Sequence, residues 1–305
     1  MKIVVASLGR AHLLDCAREL QRQGNNVLFY SATPKKNLVR YGMQKNGYSL
    51  LYFALPFYLL RRLFPCSLFL NLYRYVLDIL VYCLMPKCDV FIAQSPNFRL
   101  SMKKAKRKYN AIAILDRGSS HVRTTNDLCL LYKGKQSSVY YQNFDEKEYY
   151  LADYIAVASS FVVETFTINS IPRKKLFLNP YGVSFLEFYP TTCTNEFDFI
   201  YVGVWNRRKG CHLIVDAFSD TSLRVLHVGS IEETFPSLPN FMHIDPVPEV
   251  HLVDYYKRAK VFLFPSFDDG YGLVLNQAVV CGLPIVCSKH CGGPTLVTIQ
   301  PKQKS

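Results

Sequence analysis

Eleven short runs of β-branched and aromatic residues recur along the 305-residue chain, with longer helix-like stretches between them. Parallel strands cannot be joined by tight hairpins and need a crossover, so this alternation commits the chain to βαβ units around parallel sheets. The runs form two series. "KIVVAS", "NVLFYS", "DVFIA", "AIAILD", "YIAVA" and "KLFLNP" make the first, and "FDFIYVG", "RVLHVG", "FMHID", "VFLFPS" and "PIVCS" the second. Apolar density falls between them in "YGVSFLEFYPTTCTNEF", where Pro190, Thr191 and Thr192 mark a connector. The expectation is an α/β protein of two Rossmann-like domains, residues 1–190 and 191–305, facing a cleft at the carboxyl ends of both sheets.

Composition narrows the surroundings. Half of the residues are apolar, enough for two cores. The apolar run from Asn46 to Leu60 contains Pro56, stops at Arg61 and Arg62, and falls short of the roughly 20 residues of a spanning helix. The N-terminal run is too brief for a signal peptide and reads as a first core strand, so a cytoplasmic protein is expected. Ten cysteines without a C-x-x-C read as free thiols, Cys66, Cys83, Cys281 and Cys287 lying in apolar runs. Cys287, His290 and Cys291 fit no common zinc spacing, so no metal is expected. Charge is uneven: residues 1–110 hold 18 Lys and Arg against 4 Asp and Glu, and the rest hold 18 against 19. The excess includes "KKAKRK" (Lys103 to Lys108) and sits among the aromatics of "LYFALPFYLLRRLFPCSLFLNLYRY". Two readings stand: core helices with one solvated basic face, or a surface for an anionic membrane. Nucleic acid is not expected, because no recognised binding motif accompanies the charge.

The densest chemistry lies in "FPSFDDGYGLVLNQAVVCGLP", residues 264–284. A buried strand leads into an acidic glycine loop and then an apolar helix. The free amides of that helix start suit phosphate oxygens, and the glycines let a ligand approach the backbone. The carboxylates of Asp268 and Asp269 would repel phosphate but accept hydrogen bonds from sugar hydroxyls. Gln277, eight residues after Asp269, is expected to face the same ligand two turns into the helix. Hexose, diphosphate and ribose together match this layout, so a nucleotide-sugar is the expected ligand. The plainer reading makes the aspartates turn formers and Tyr271 a core residue.

At these residues the chain resembles the GT-B glycosyltransferases of family 4, glycosyltransferase group 1. "MKIVVASLGRAHLLDCARELQRQGNNVLFYS" is similar to the first βαβ unit, with Gly9 in the loop approaching the donor phosphates. "ADYIAVASSFVVETF" with "IPRKKLFLNPYGVSFLEFYP", "YVGVWNRRKGCHLIVDAF" and "FPSFDDGYGLVLNQAVVCGLPIVCSKHCGGP" resemble the family's later segments, and "LDRGSSH" an "ERGSSH" segment of one bacterial branch. The resemblance implies that Lys209 and Arg208 neutralise the donor diphosphate. Gly272, Leu273 and Val274 offer it backbone amides. Asp269 stands where the first glutamate of an E-x7-E pair faces the donor sugar, Gln277 where the second holds ribose, and His121 where a histidine lies near the reacting carbon. It implies a retaining, metal-independent hexosyltransferase in cell-surface glycan or glycolipid synthesis, with no cofactor beyond the nucleotide-sugar donor. Its acceptor would be a glycan or a lipid-linked hydroxyl.

The chain departs from the family pattern in three ways. Both glutamates are replaced, by a shorter acid and a neutral amide; Val204 stands where an arginine is usual; and family members continue beyond "GGP", so the second domain is expected to be incomplete. Two further readings stay open. One is a decayed transferase kept as a nucleotide-sugar-binding or membrane-associated scaffold, and the other is a nucleotide-sugar epimerase of the same architecture.

Overall fold

The computed structural model describes residues 1–9, 11–64, 67–134, 136–192 and 194–299; Cys66 and the polar tail from Gln300 lie outside them. Strands β1 (Lys2–Ser7), β2 (Asn26–Ser31), β3 (Gly47–Ser49), β4 (Val90–Gln94), β5 (Ile112–Arg117), β6 (Tyr154–Val157) and β7 (Leu176–Leu178) precede the connector. Helices α1 (His12–Arg22), α2 (Lys35–Arg40), α3 (Leu51–Leu63), α4 (Ser67–Leu84), α5 (Arg99–Tyr109), α6 (Val122–Leu131), α7 (Val139–Leu151) and α8 (Ser160–Ile168) run between them. After it come β8 (Phe197–Val202), α9 (Cys211–Phe218), β9 (Val225–Val228), β10 (Phe241–Ile244), α10 (Leu252–Tyr256), β11 (Ala259–Phe264), α11 (Leu273–Val280), β12 (Ile285–Cys287) and α12 (Gly293–Ile299). The strands make two sheets, ordered β3-β2-β1-β4-β5-β6-β7 and β10-β9-β8-β11-β12. Pairing is parallel at β1 with β2 and β4, and at β8 with β9 and β11. All eleven expected strands are present. The unexpected one, β3, is a three-residue edge strand whose Gly-Tyr-Ser carries no β-branched residue.

The compact units do not follow chain order. One comprises Met1–Arg117, Ser138–Ala156 and Lys174–Phe177; the other comprises Gly118–Ser137, Val157–Arg173 and the chain from Leu178. The first is built on Val5, Leu13, Leu14 and Phe29, the second on Tyr201, Trp205, Tyr256, Phe262 and Phe264, all buried.

Within the first unit, helix ends and charges are tied locally. No side chain caps α5 from its own N-cap, Phe98; instead Asp78 of α4 accepts from the amides of Leu100 (2.7 Å) and Ser101 (2.9 Å). Two of the five cations of the basic run are likewise engaged: Lys106 pairs with Asp153 at 2.6 Å and Lys104 donates to the Tyr82 carbonyl, while Arg107 and Lys108 remain exposed. Helices α3 and α4 pack together yet leave Tyr52, Phe53, Leu63, Phe64, Leu68 and Tyr75 more than half exposed beside the exposed Arg61 and Arg62. They are therefore not simply two core helices. Among the described residues no helix is long and apolar enough to cross a membrane. The eight described cysteines are free thiols.

Glu148 on α7 is fully buried, and neither carboxyl oxygen has a hydrogen-bond partner among the described residues. Burial, reinforced by Asp145 and Asp78 and opposed by Arg117 and Arg99, pushes its carboxyl up to about 8. The folded chain therefore keeps a proton that the unfolded chain releases above its ordinary value near 4.5. This contribution is fully present below that value, declines as pH rises, and is lost as pH passes about 8. Glu148→Gln, which fixes the neutral form, is expected to raise the thermal midpoint at pH 7.5 by several degrees, on the order of 5 °C, and leave it unchanged at pH 4. Thermal unfolding followed by circular dichroism at the two pH values measures it.

Candidate functional site

Two loops of the second unit meet. The first follows β8 and contains a short 3-10 turn, Arg207–Lys209, capped by Asn206, whose side-chain oxygen accepts from the Lys209 amide at 3.0 Å. An asparagine three residues before Lys209 is a readable capping signal that the sequence argument did not use. The second loop, Pro265 to Gly272, follows β11. The Phe267 amide donates to the Arg208 carbonyl (2.9 Å), and the Arg208 guanidinium donates to the Asp268 carbonyl (2.7 Å). Lys209 forms an ion pair with Asp269, its ammonium 5.4 Å from the centre of the Phe264 ring. Lys209 and Asp269 thus come together directly, both side chains largely withdrawn from solvent, where a charge pair is weakly screened.

The acidic loop is buttressed on its other flank by segments far away in sequence. Ser120 donates to Asp268 Oδ1 at 2.8 Å and Ser159 to the Gly270 carbonyl at 2.6 Å. At Gly270 a side chain would run into the backbone of Gly118 and Ser119, so only glycine allows this approach. Buried Asp268 is therefore a tethered turn residue rather than a free ligand, in line with the plainer expectation. The Asp269 amide donates to the His290 carbonyl (3.0 Å) and the Gly292 amide to the Tyr271 carbonyl (2.8 Å). The thiol of Cys291 donates to the Ser288 carbonyl (3.1 Å), and the His290 ring packs on Phe161 at 5.4 Å. Among the described residues no group of three or more His, Cys, Asp or Glu is placed to hold a metal.

Gly272 takes φ +77°, the left-handed conformation that turns the loop into α11. The first amides of α11, at Leu273 and Val274, have no acceptor four residues back in the helix, and Leu273 is exposed. The helix α11 begins at Leu273, directly after the acidic loop as expected, so Gln277 lies one turn into it and not two. Gln277 itself is buried: its carbonyl accepts from the Tyr256 hydroxyl (2.9 Å) and its amide donates to Glu249 (3.0 Å). Glu249 was not among the expected site residues, and no local pattern marks it in the sequence. Tyr271 is also buried, its hydroxyl committed to the Tyr181 carbonyl (2.9 Å) and to Asn276 (3.1 Å), which favours packing over stacking on a ligand.

His121 is buried at the start of α6. Its Nδ1 accepts from the Arg123 amide (3.3 Å), and its ring meets Phe166 edge-on at 5.0 Å. It follows Ser120 directly and so travels with the loop that holds Asp268. His227 is a packed core residue, its Nε2 donating to the Gly203 carbonyl (2.9 Å), with burial lowering its basicity to about 4. Gly9 belongs to the first unit, where Ser7 donates to its carbonyl at 2.9 Å; a side chain there would meet nothing within 4 Å.

Comparison with known proteins places this geometry. Residues 196–303 match the family described as Glycosyl transferases group 1. The O-antigen chain mannosyltransferase B of Escherichia coli is 41% identical over 51 residues, a stretch spanning 17% of this chain and 13% of that enzyme. Over the whole fold the likeness is broader and fainter. HepE of Anabaena, solved in complex with UDP and glucose, superposes with a TM-score of 0.63 at 15% identity, covering 97% of this chain and 83% of that one. An Escherichia coli structure titled trehalose-6-phosphate, bound with UDP-2-fluoro glucose, gives 0.64 at 10% identity, covering 98% and 86%. The basic turn, the glycine loop and α11 all lie inside the stretch that matches glycosyltransferase group 1, and the chain as a whole has the GT-B fold.

Proposed function

We propose that the chain transfers a hexose, with retention, from a nucleotide-diphosphate sugar to the hydroxyl of a glycan or lipid-linked acceptor. The observation that carries this reading is the meeting of Lys209 and Asp269 beside the free amides of α11. Lys209, Arg208 and the amides of Gly272, Leu273 and Val274 would receive the diphosphate, cations and helix start together meeting the charge that grows on the leaving group. No metal is needed in this scheme, because these groups already supply that charge. A bound diphosphate would draw the Lys209 ammonium to itself and release Asp269 for the hydroxyls of the hexose. The acceptor hydroxyl attacks on the face the diphosphate leaves, and its proton passes to a phosphate oxygen. His121 would act through its loop, since its ring is buried.

A binding protein without turnover is the second reading. It is favoured by the shorter acid at Asp269 and by the burial of Gln277, which has no polar end left for a ligand. Isothermal titration with UDP-, GDP- and ADP-sugars, together with donor hydrolysis, separates the two. Lys209→Ala is expected to weaken nucleoside-diphosphate binding by about 10–100-fold, the loss of a charge-assisted contact. Undiminished binding removes the phosphate role. Asp269→Ala is expected to leave nucleoside-diphosphate affinity within a few-fold while lowering hydrolysis about 10²-fold, by misplacement of the sugar. Binding with no hydrolysis by the unaltered chain supports the scaffold.

The exposed apolar and aromatic face of α3 and α4 beside Arg61 and Arg62 supports docking on an anionic membrane, where a lipid-linked acceptor would be met. The full chain is expected to sediment with vesicles containing phosphatidylglycerol and not with neutral phosphatidylcholine. Joint reversal, Arg61→Glu with Arg62→Glu, should reduce the bound fraction at least about 10-fold. Equal binding to both vesicle types counts against docking.

A further inference from the structure

The buried amide of Gln277 has a direction. Tyr256 is buried, and burial holds its phenol protonated, so its hydroxyl is a donor to the Gln277 carbonyl at 2.9 Å. The amide nitrogen of Gln277 must then point the other way, and at 3.0 Å it meets Oε1 of Glu249. Three side chains form a relay from the core to the surface, ending in a carboxylate that is exposed and has no other partner among the described residues. Glu249 stands on a short 3-10 turn, Glu249–His251, leading straight into α10, which carries Tyr256. Both ends of the relay therefore rest on the same continuous stretch.

The relay also adjoins the phosphate end of the site. The Tyr256 hydroxyl lies 3.5 Å from the Val274 carbonyl, and Gln277 is one turn beyond Leu273, about 6 Å along the helix axis. An ionised carboxylate only accepts hydrogen bonds. Next to a diphosphate it is repelled by the phosphates and suited to hydroxyls that donate. Glu249 has Oε2 and one lone pair of Oε1 to spare, the capacity for two adjacent hydroxyl donors. A glutamate at 277 would set two carboxylates about 3 Å apart and could not keep both ionised. The neutral amide at 277 and the acid at 249 belong together.

We infer that Glu249, positioned by Gln277 and Tyr256, is the group that receives the vicinal hydroxyls of the nucleotide's ribose. This rests on the nucleotide-sugar reading above. Gln277 is then a positioning residue, and the carboxylate that the 277 position lacks is supplied from the turn before α10.

The test is isothermal titration of the full chain with UDP and GDP and their 2′-deoxy and 3′-deoxy forms. It is run on the unaltered protein, Glu249→Ala, Gln277→Glu, and the pair Gln277→Glu with Glu249→Gln, each checked for folding by circular dichroism. The unaltered protein should lose about 10–100-fold in affinity when either hydroxyl is removed, and Glu249→Ala should lose as much for the ribonucleotide. The two losses should not add. Gln277→Glu should weaken ribonucleotide binding and leave that of the deoxy forms within a few-fold, which a merely structural role for Gln277 would not produce; Glu249→Gln in the same chain should not restore it, because the receiving carboxylate is gone. Additive losses, or recovery of ribonucleotide binding by the exchanged pair, overturn the role of Glu249 and leave the transferase reading in place. Glu249→Ala altering the preference between UDP and GDP while deoxy forms bind as well as ribo forms means that Glu249 reads the base, which also overturns it. A folded chain that binds none of these nucleotides removes the transferase reading itself, and this inference falls with it.

Discussion

Everything proposed for the second unit depends on one electrostatic contact, the ammonium of Lys209 against the carboxylate of Asp269. The two residues come from different crossovers of the same sheet, after β8 and after β11, which are neighbouring strands. Parallel pairing puts the carboxyl ends of those strands side by side, so the loops that follow them meet. The main-chain bond from Phe267 to Arg208 and the guanidinium bond from Arg208 to Asp268 fix the loops before any side-chain charge is considered. The ion pair then completes a contact that the backbone has already arranged. That order matters physically, because an ion pair formed by two mobile side chains contributes little, whereas one on a pre-set backbone loses less entropy in forming.

How much of this was readable in advance depends on the range of the interaction. Strands announced themselves through β-branched runs such as Ile3 to Ala6 and Val261 to Phe264, because a buried parallel strand needs apolar side chains on both faces. β3 did not, since an edge strand of Gly47, Tyr48 and Ser49 is held by pairing to β2 and not by its own composition. The glycine loop and the helix start after Gly272 were readable because turn and helix-start geometry are local. The tether from Ser120 to Asp268 crosses 148 positions, and the link from Glu249 to Gln277 crosses 28. Neither has a period or a spacing by which a sequence could show it.

The same distinction explains the residues whose expected places shifted. Gln277 and His121 were placed by their position in a pattern, which says where a Cα falls but not how a side chain is spent. In the folded chain the polar ends of Gln277 are taken up by Tyr256 and Glu249, and a ring nitrogen of His121 caps α6. A buried polar group must find partners, and the need is met by whatever the fold brings near. The basic run on α5 shows the same economy, with Lys104 and Lys106 anchoring neighbouring carbonyls and Asp153 while Arg107 and Lys108 stay in solvent.

The interleaved make-up of the second unit bears on how the protein can be dissected. Ser120, Ser159 and the Gly118 backbone are supplied from upstream of the connector, yet they buttress the glycine loop. Ser160 likewise receives α12, its amide donating to the Thr295 hydroxyl at 2.8 Å. Expressing the chain from Phe197 onward would keep the whole five-stranded sheet but strip the glycine loop of these supports. The modular boundary of this protein is a surface in space, and no single cut in the polypeptide follows it.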